Sequence, residues 1–271
     1  MKYEGNLRKM RTENADIVSY KAVLYDRTEF REEFPLNQLV GREVNIRFNG
    51  EIHCVVTGKK INKTFGEGMS YEAFMTSPQA APSIVRPELS RIHEGIALRD
   101  MEWELAHHMQ PHYVYLSLTN DIKVGVTRTT NIPYRWHDQG ATEAVVLSET
   151  PYRQAAGLME VFLKDHLPDK THWQKMLKDV RENTVSLSEK RNEVIELLPS
   201  EFEDFVRFDE DVHTFRYPVE VYPQKIISLK LDKQGDFGAR LTGIKGQYLL
   251  FEGGYVLNVR SHAGYRVTIE F

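Results

Sequence analysis

The chain has 271 residues, 41% apolar and 27% charged, with 35 Lys and Arg against 39 Asp and Glu for a formal charge of -4. That balance belongs to an ordinary globular protein of one or two domains and excludes disordered, collagen-like and coiled-coil chains. No apolar run reaches the roughly 20 residues of a membrane helix, residues 1–18 lack the apolar core of a signal peptide, and the single cysteine, Cys54, can neither close an intramolecular disulfide nor supply a thiolate-rich metal site. The expected setting is the cytoplasm, without a membrane partner.

Residues 3–10, 17–25 and 40–56 read as strands. In the third, Val44, Ile46 and Phe48 alternate with Glu43, Asn45 and Arg47, and Asn49-Gly50 predicts a two-residue hairpin. Residues 53–111 are irregular, because Pro78, Pro82 and Pro87 forbid one continuous helix; within them 99–109 is helical and is stopped by Pro111. From 112 the pattern changes. HYVYLSL (112–118) and IKVGVTR (122–128) read as two strands joined at Thr119-Asn120-Asp121. A short helix follows, with Asn131 as its cap, Pro133 in its first turn and Gly140 at its end. Residues 141–149 form a third strand. Residues 150–167 read as a helix capped by Thr150, with Leu158, Val161, Phe162 and Leu167 on its apolar face, and 171–183 and 186–198 as two more. Residues 225–232, 238–244, 246–260 and 265–271 return to short strands with glycine turns. Neither end makes a complete sheet by itself, so the two are expected to pair into one β domain with the middle of the chain inserted.

Charge is uneven. Residues 137–215 carry -8, whereas 112–136 carry +2 and 216–271 carry +3. A polyanion would have to approach the basic stretches and avoid the acidic block.

The chemistry-bearing stretch is 113–164. A YVY strand (113–115) and a KVG strand (123–125) are followed by Arg135 in the next helix and Glu160 inside a later amphipathic one. This order resembles the GIY-YIG nuclease superfamily, in the branch whose second motif reads KIG-x-T; here it reads Lys123-Val124-Gly125-Val126-Thr127. The resemblance places the first-motif tyrosine on Tyr115, the second-motif glycine on Gly125, the helix arginine on Arg135 and the metal-binding glutamate on Glu160. It implies one divalent ion, magnesium or manganese, on Glu160, a phosphate contact from Arg135, and Tyr115 and Lys123 positioning water. Gly125 itself, and Thr127, Arg128 and His137 beside these motifs, are the candidates for substrate contact. Lys123 stands where the superfamily usually has its second tyrosine, and would serve as a base only with a lowered pKa.

RPELSRIHEG, MEWELAHHMQPHYVYLSL, IPYRWHDQGA and LTGIKGQYLLFEGGYVLNVRSHAGY extend a second resemblance over most of the chain, to a bacterial family known as domain of unknown function 2797. Its members usually carry a cysteine-rich, zinc-binding-like segment ahead of the GIY-YIG-like part. Here Cys54 remains, while Thr57, Ser70, Ala73, Ser83 and Ser90 stand where partner cysteines are expected; hydroxyls are poor zinc ligands, so no zinc is expected.

The expected fold is therefore α+β. Residues 1–52 and 216–271 form a small β-barrel-like domain, 53–111 a degenerate zinc-binding-like segment, and 112–215 an inserted GIY-YIG-like α/β domain with C-terminal helices. Three functions stay open: metal-dependent phosphodiester hydrolysis on DNA or RNA, noncatalytic binding of a nucleic acid or nucleotide, and a protein interaction module.

Overall fold

The computed structural model describes residues 1–167, 172–181 and 185–271. In chain order the first elements are strands β1 (Lys2–Leu7), β2 (Arg11–Glu13), β3 (Ser19–Asp26), β4 (Glu29–Pro35), β5 (Glu43–His53) and β6 (Lys60–Ile61), then helix α1 (Tyr71–Thr76). Next come α2 (Pro82–Val85) and α3 (Met101–His108), the hairpin β7 (His112–Leu118) and β8 (Ile122–Arg128), and α4 (Tyr134–Gln139). Strand β9 (Glu143–Thr150), helices α5 (Arg153–Lys164), α6 (Trp173–Leu177) and α7 (Leu187–Leu197), and β10 (His213–Thr214) follow. The chain closes with β11 (Ile227–Ser228), α8 (Leu231–Gln234), β12 (Asp236–Lys245), β13 (Tyr248–Phe251), β14 (Tyr255–Asn258) and β15 (Tyr265–Glu270). Two compact units result, residues 1–76 with 216–271 and residues 77–215. The expected helix at 171–183 is α6, shorter than the pattern suggested; Thr171, Glu182 and Asn183 lie outside the described residues. No helix among the described residues is long and apolar enough to cross a membrane.

The first unit is one eleven-stranded sheet in the order β11-β14-β13-β12-β5-β15-β1-β3-β2, with β4 on β3 and β6 on β5. N- and C-terminal strands interleave: β1 pairs with β15, and β5 lies between β15 and β12. The sheet curls around an apolar core in which Leu7, Val23, Ile46, Leu241, Leu257 and Ile269 line one small cavity of about 20 Å³. It does not close into the expected barrel, because its path starts at β11 and ends at β2, which do not pair. The Asn49-Gly50 hairpin is also corrected. Strand β5 runs straight through it, and the glycine's positive φ of 78° sits where five residues, Phe48 to Ile52, face three, Tyr265 to Val267. The extra residues form a bulge, held by a hydrogen bond from Thr268 Oγ1 to Asn49 Oδ1 at 3.2 Å.

The second unit has a four-stranded antiparallel sheet, β10-β9-β7-β8. Alternation sends Val114, Leu116 and Leu118 of β7 to one face, where they join Val145 and Leu147 of β9, Ala156, Met159 and Leu163 of α5, and Leu187 and Val194 of α7 in one core. Of the face that the sequence pattern suggested, Leu167 joins the core and Phe162 packs against it, but its remaining residues on helix α5 are rotated away. Leu158 and Val161 are 48% and 43% exposed, while Ala155, Ala156, Gly157, Met159, Glu160 and Leu163 are buried. The reason is a close backbone approach: a Cβ on Gly157 would lie 2.2 Å from the Glu88 nitrogen and 2.5 Å from the Pro87 carbonyl carbon. Small residues let α5 settle against the Pro87–Leu89 turn, and that contact sets the helix's rotation. Thr150 ends β9 instead of capping α5, its hydroxyl donating to the carbonyl oxygens of His112 and Tyr152 at 3.2 Å each. Likewise Pro133, not Asn131, stands at the N-terminus of α4, and Gly140 ends that helix at φ 68°.

Candidate functional site

Cross-strand pairing builds the centre of the site. Tyr115 on β7 faces Gly125 on β8, and the tyrosine ring lies over the glycine so closely that a Cβ there would be 2.6 Å from the ring carbon Cζ and the hydroxyl. Glycine is required at 125 because the tyrosine fills its side-chain space. The ring packs edge-on against Trp136 of α4 at 5.9 Å, and its hydroxyl donates to Gln139 Oε1 at 3.1 Å and bonds Arg135. Tyr115 is fully buried. Burial raises its pKa, opposed by Arg135 and reinforced by Glu160, which puts all three groups within electrostatic reach of one another.

Lys123, two residues before Gly125, titrates at about 8, pulled down by burial and then by the charge of Arg135. Glu160 is 8% exposed. Burial pushes its carboxyl upward against the pull of Lys164 and Arg153. Its Oε2 lies 3.4 Å from Lys164 Nζ yet has no hydrogen-bond partner. A buried carboxylate oxygen of this kind is a potential cation ligand, but Lys164 already stands beside it and Arg153 adds further positive potential. Among the described residues no group of three or more His, Cys, Asp or Glu side chains converges as metal ligands do. A dication on Glu160 would therefore have to compete with the Lys164 ammonium for that oxygen.

Beside this cluster lies an open cleft of about 270 Å³. Thr127 and Arg128 from the end of β8, Arg135 from α4 and Arg153 from the first turn of α5 line it, together with Trp103, His107 and His108 of α3. Among the described residues no aspartate or glutamate is in the lining. Arg153 is held by hydrogen bonds to the carbonyl oxygens of Ser83 (2.8 Å) and Ile84 (2.9 Å). Burial brings it down to about 10, Glu160 opposes that, and Arg135 and Arg128 depress it further. The guanidiniums of Arg128 and Arg135 therefore both repel that of Arg153, an arrangement that an anion relieves.

Of the residues singled out in the sequence, Thr127, Arg128 and Arg135 line the cleft. Tyr115 and Lys123 act on Arg135, Gly125 lies under the Tyr115 ring and Glu160 acts on Tyr115, and none of the four is part of the lining. His137 is fully buried, its ring edge-on to Phe215 at 4.9 Å, and burial lowers it to about 4. Sequence reasoning missed Arg153, Trp103 and His108. Arg153 did carry a signal, since a cation in the first turn of a helix opposes the helix dipole and calls for another reason to be there.

Cys54, in the other unit, is buried. Burial pushes the thiol up, but hydrogen bonds from the Thr57 side chain and from the backbone N–H groups of Ser70, Thr57 and Val56 outweigh it and bring the pKa to about 7. The Ser70 N–H donates to Cys54 Sγ at 3.1 Å, and Ser70 Oγ accepts from the Ala73 N–H at 3.1 Å. Two of the positions at which the family resemblance implies metal ligands thus hold the sulfur by hydrogen bonds.

No curated protein and no solved structure matches the chain. The family described as "Protein of unknown function (DUF2797)" matches residues 41–267, which takes in most of both units. The chain belongs to that family.

Proposed function

We propose that the second unit binds a phosphate ester of nucleic-acid type in the Arg128–Arg135–Arg153 cleft. The observation that carries this reading is the convergence of three guanidiniums on one open cleft whose lining, among the described residues, holds no acid. Guanidinium forks match phosphate oxygens, and each charge-assisted bond contributes roughly 1.5–3 kcal/mol. The resemblance of 113–164 to the GIY-YIG superfamily supports the same ligand class.

The test is binding of a labelled oligonucleotide over a salt series, with magnesium absent and then present. Arg128→Ala and Arg135→Ala should each weaken binding about tenfold, and each should lower the slope of log K against log salt by about one. Wild-type affinity and slope in both variants would sink the proposal.

Phosphodiester hydrolysis is the second reading. It is favoured by the grouping of Tyr115, Arg135 and the buried Glu160 carboxylate. The buried Tyr115 hydroxyl and the Lys164 ammonium beside Glu160 favour binding without cleavage. Magnesium-dependent product formation that disappears in Glu160→Gln would establish hydrolysis in its place.

A further inference from the structure

The arginines form only part of the cleft lining. Trp103 and His107, one turn apart on α3, stack face to face with centroids 3.9 Å apart and ring planes at 8°. Both rings line the cleft that the three arginines line. His107 Nδ1 lies 2.7 Å from the Trp103 carbonyl oxygen, which fixes the imidazole against the indole. Next to them is His108, 2% exposed, with Nδ1 3.3 Å from Ser90 Oγ and Nε2 without a hydrogen-bond partner. A phosphate needs neither a stacked aromatic pair nor a buried neutral polar atom. A nucleotide uses all three chemistries: the arginines for its phosphate, a flat π surface for its base, and a hydrogen-bond group for its sugar or base edge.

We infer that the cleft takes a nucleotide unit whose base is unpaired, with the base stacked on the Trp103–His107 pair and the phosphate on the arginines. This rests on the phosphate-binding reading above and narrows its ligand. The size agrees, because about 270 Å³ falls just below the roughly 300–1,000 Å³ of pockets that enclose a drug-sized ligand. Such a cleft accepts one nucleotide and no length of double helix. In a duplex the faces of the bases are covered by their neighbours, so only a single strand, a frayed end or a free nucleotide offers a face to Trp103.

Affinity is measured for a mixed-sequence single strand, the matching duplex, and an abasic strand of the same length that keeps every phosphate. The wild-type protein should bind the single strand about tenfold or more tighter than the abasic strand, the range expected for base–aromatic stacking, and tighter than the duplex. Trp103→Ala should bring the single strand down to the affinity of the abasic strand, which itself should not change; Trp103→Phe should restore part of the preference. Competition by a nucleoside monophosphate would assign the site to free nucleotides, and its failure to compete would assign it to strands; both outcomes support an unpaired base. Equal wild-type affinity for normal and abasic strands, or for strand and duplex, overturns the inference with no variant needed. An unchanged preference in Trp103→Ala also overturns it. In each of those cases, sensitivity to Arg128→Ala would leave the phosphate reading standing. If no strand binds at all, the phosphate reading fails and this inference with it.

Discussion

Asn6 in the first unit and Ser117 in the second are both fully buried polar residues on sheet strands, yet their surroundings differ. The Asn6 amide donates to the Gly264 carbonyl at 2.8 Å and meets His53 Nδ1 at 3.0 Å, while its Oδ1 accepts from the Arg27 N–H at 3.0 Å. Ser117 Oγ has no hydrogen-bond partner. The contrast is general. In the first unit Gln247 closes two bonds with the Met10 backbone, at 2.8 and 3.1 Å. There too, the buried Lys245 ammonium lies over the rings of Tyr222 and Tyr217 at 5.2 and 5.6 Å. In the second unit Ser83 Oγ, Glu104 Oε2, His108 Nε2, His112 Nε2, Trp136 Nε1 and Glu160 Oε2 join Ser117 Oγ as buried atoms lacking such a partner. Each such atom costs about 1–3 kcal/mol, and folded proteins keep few of them away from functional sites. These buried polar groups of the first unit are satisfied, whereas the second unit keeps several that are not.

Acid should separate the units most strongly. Burial holds His108 at about 3 and His112 and His137 at about 4, against 6.5 for an exposed histidine. Below pH 6.5 the unfolded chain therefore binds protons that the folded second unit refuses, so stability falls as pH falls, by on the order of several kcal/mol at pH 4. His53 and His262 of the first unit are lowered as well, so both units weaken, the second more. Hydrogen exchange at pH 7 and 4.5, corrected for its intrinsic pH dependence, should show protection lost first in β7, β8 and β9. Equal loss in β5 and β15 would break the comparison.

Asn6→Ala should destabilise by about 3 kcal/mol, because it leaves the Gly264 carbonyl, the Arg27 N–H and the His53 ring with unmet bonds. Urea unfolding measures this, and a loss below about 1 kcal/mol would mean that the satisfied interior of the first unit matters little. Lys123→Met should act the other way and stabilise by about 1–2 kcal/mol at pH 7, since it removes a charge that burial penalises. The lysine titrates at about 8 when folded and at 10.5 when exposed. The unfolded chain thus holds more protons between those values, wild-type stability rises across that window, and the advantage of methionine should be gone above it. An advantage that persists at pH 11 would point to packing and not charge. Ser117→Ala is the smallest step, neutral or stabilising by up to about 1 kcal/mol. Destabilisation there would show that the hydroxyl is satisfied after all.

Much of the second unit's local structure was legible in the sequence. The hairpin 112–128 and the strand at 143–150 follow from alternation and turn residues. The stop of α3 before Pro111 follows from proline chemistry. Helix α7 follows from Ser186 and Glu189, which form a reciprocal capping box. The apolar face of α5 was misread because periodicity counts large side chains, whereas Gly157 and its close approach to Glu88 decide which side is buried. The Asn49-Gly50 turn was misread for a related reason. A two-residue turn and a bulge ask for the same glycine conformation, and only the pairing of β5 with β15 chooses between them.

The sequence by itself determined the family, the order of strands and helices in the second unit, and the grouping of Tyr115, Gly125 and Arg135, because these depend on residues close along the chain or on one strand pair. Tertiary structure decided the rest. Trp103, Arg128, Arg135 and Arg153 come from four separate elements, and no local pattern fixes the cleft they share. Burial, too, is a property of the packed molecule. It is what lowers Lys123, raises Glu160 and makes the charges around Arg135 act on one another, since charges interact strongly only where packing has excluded water.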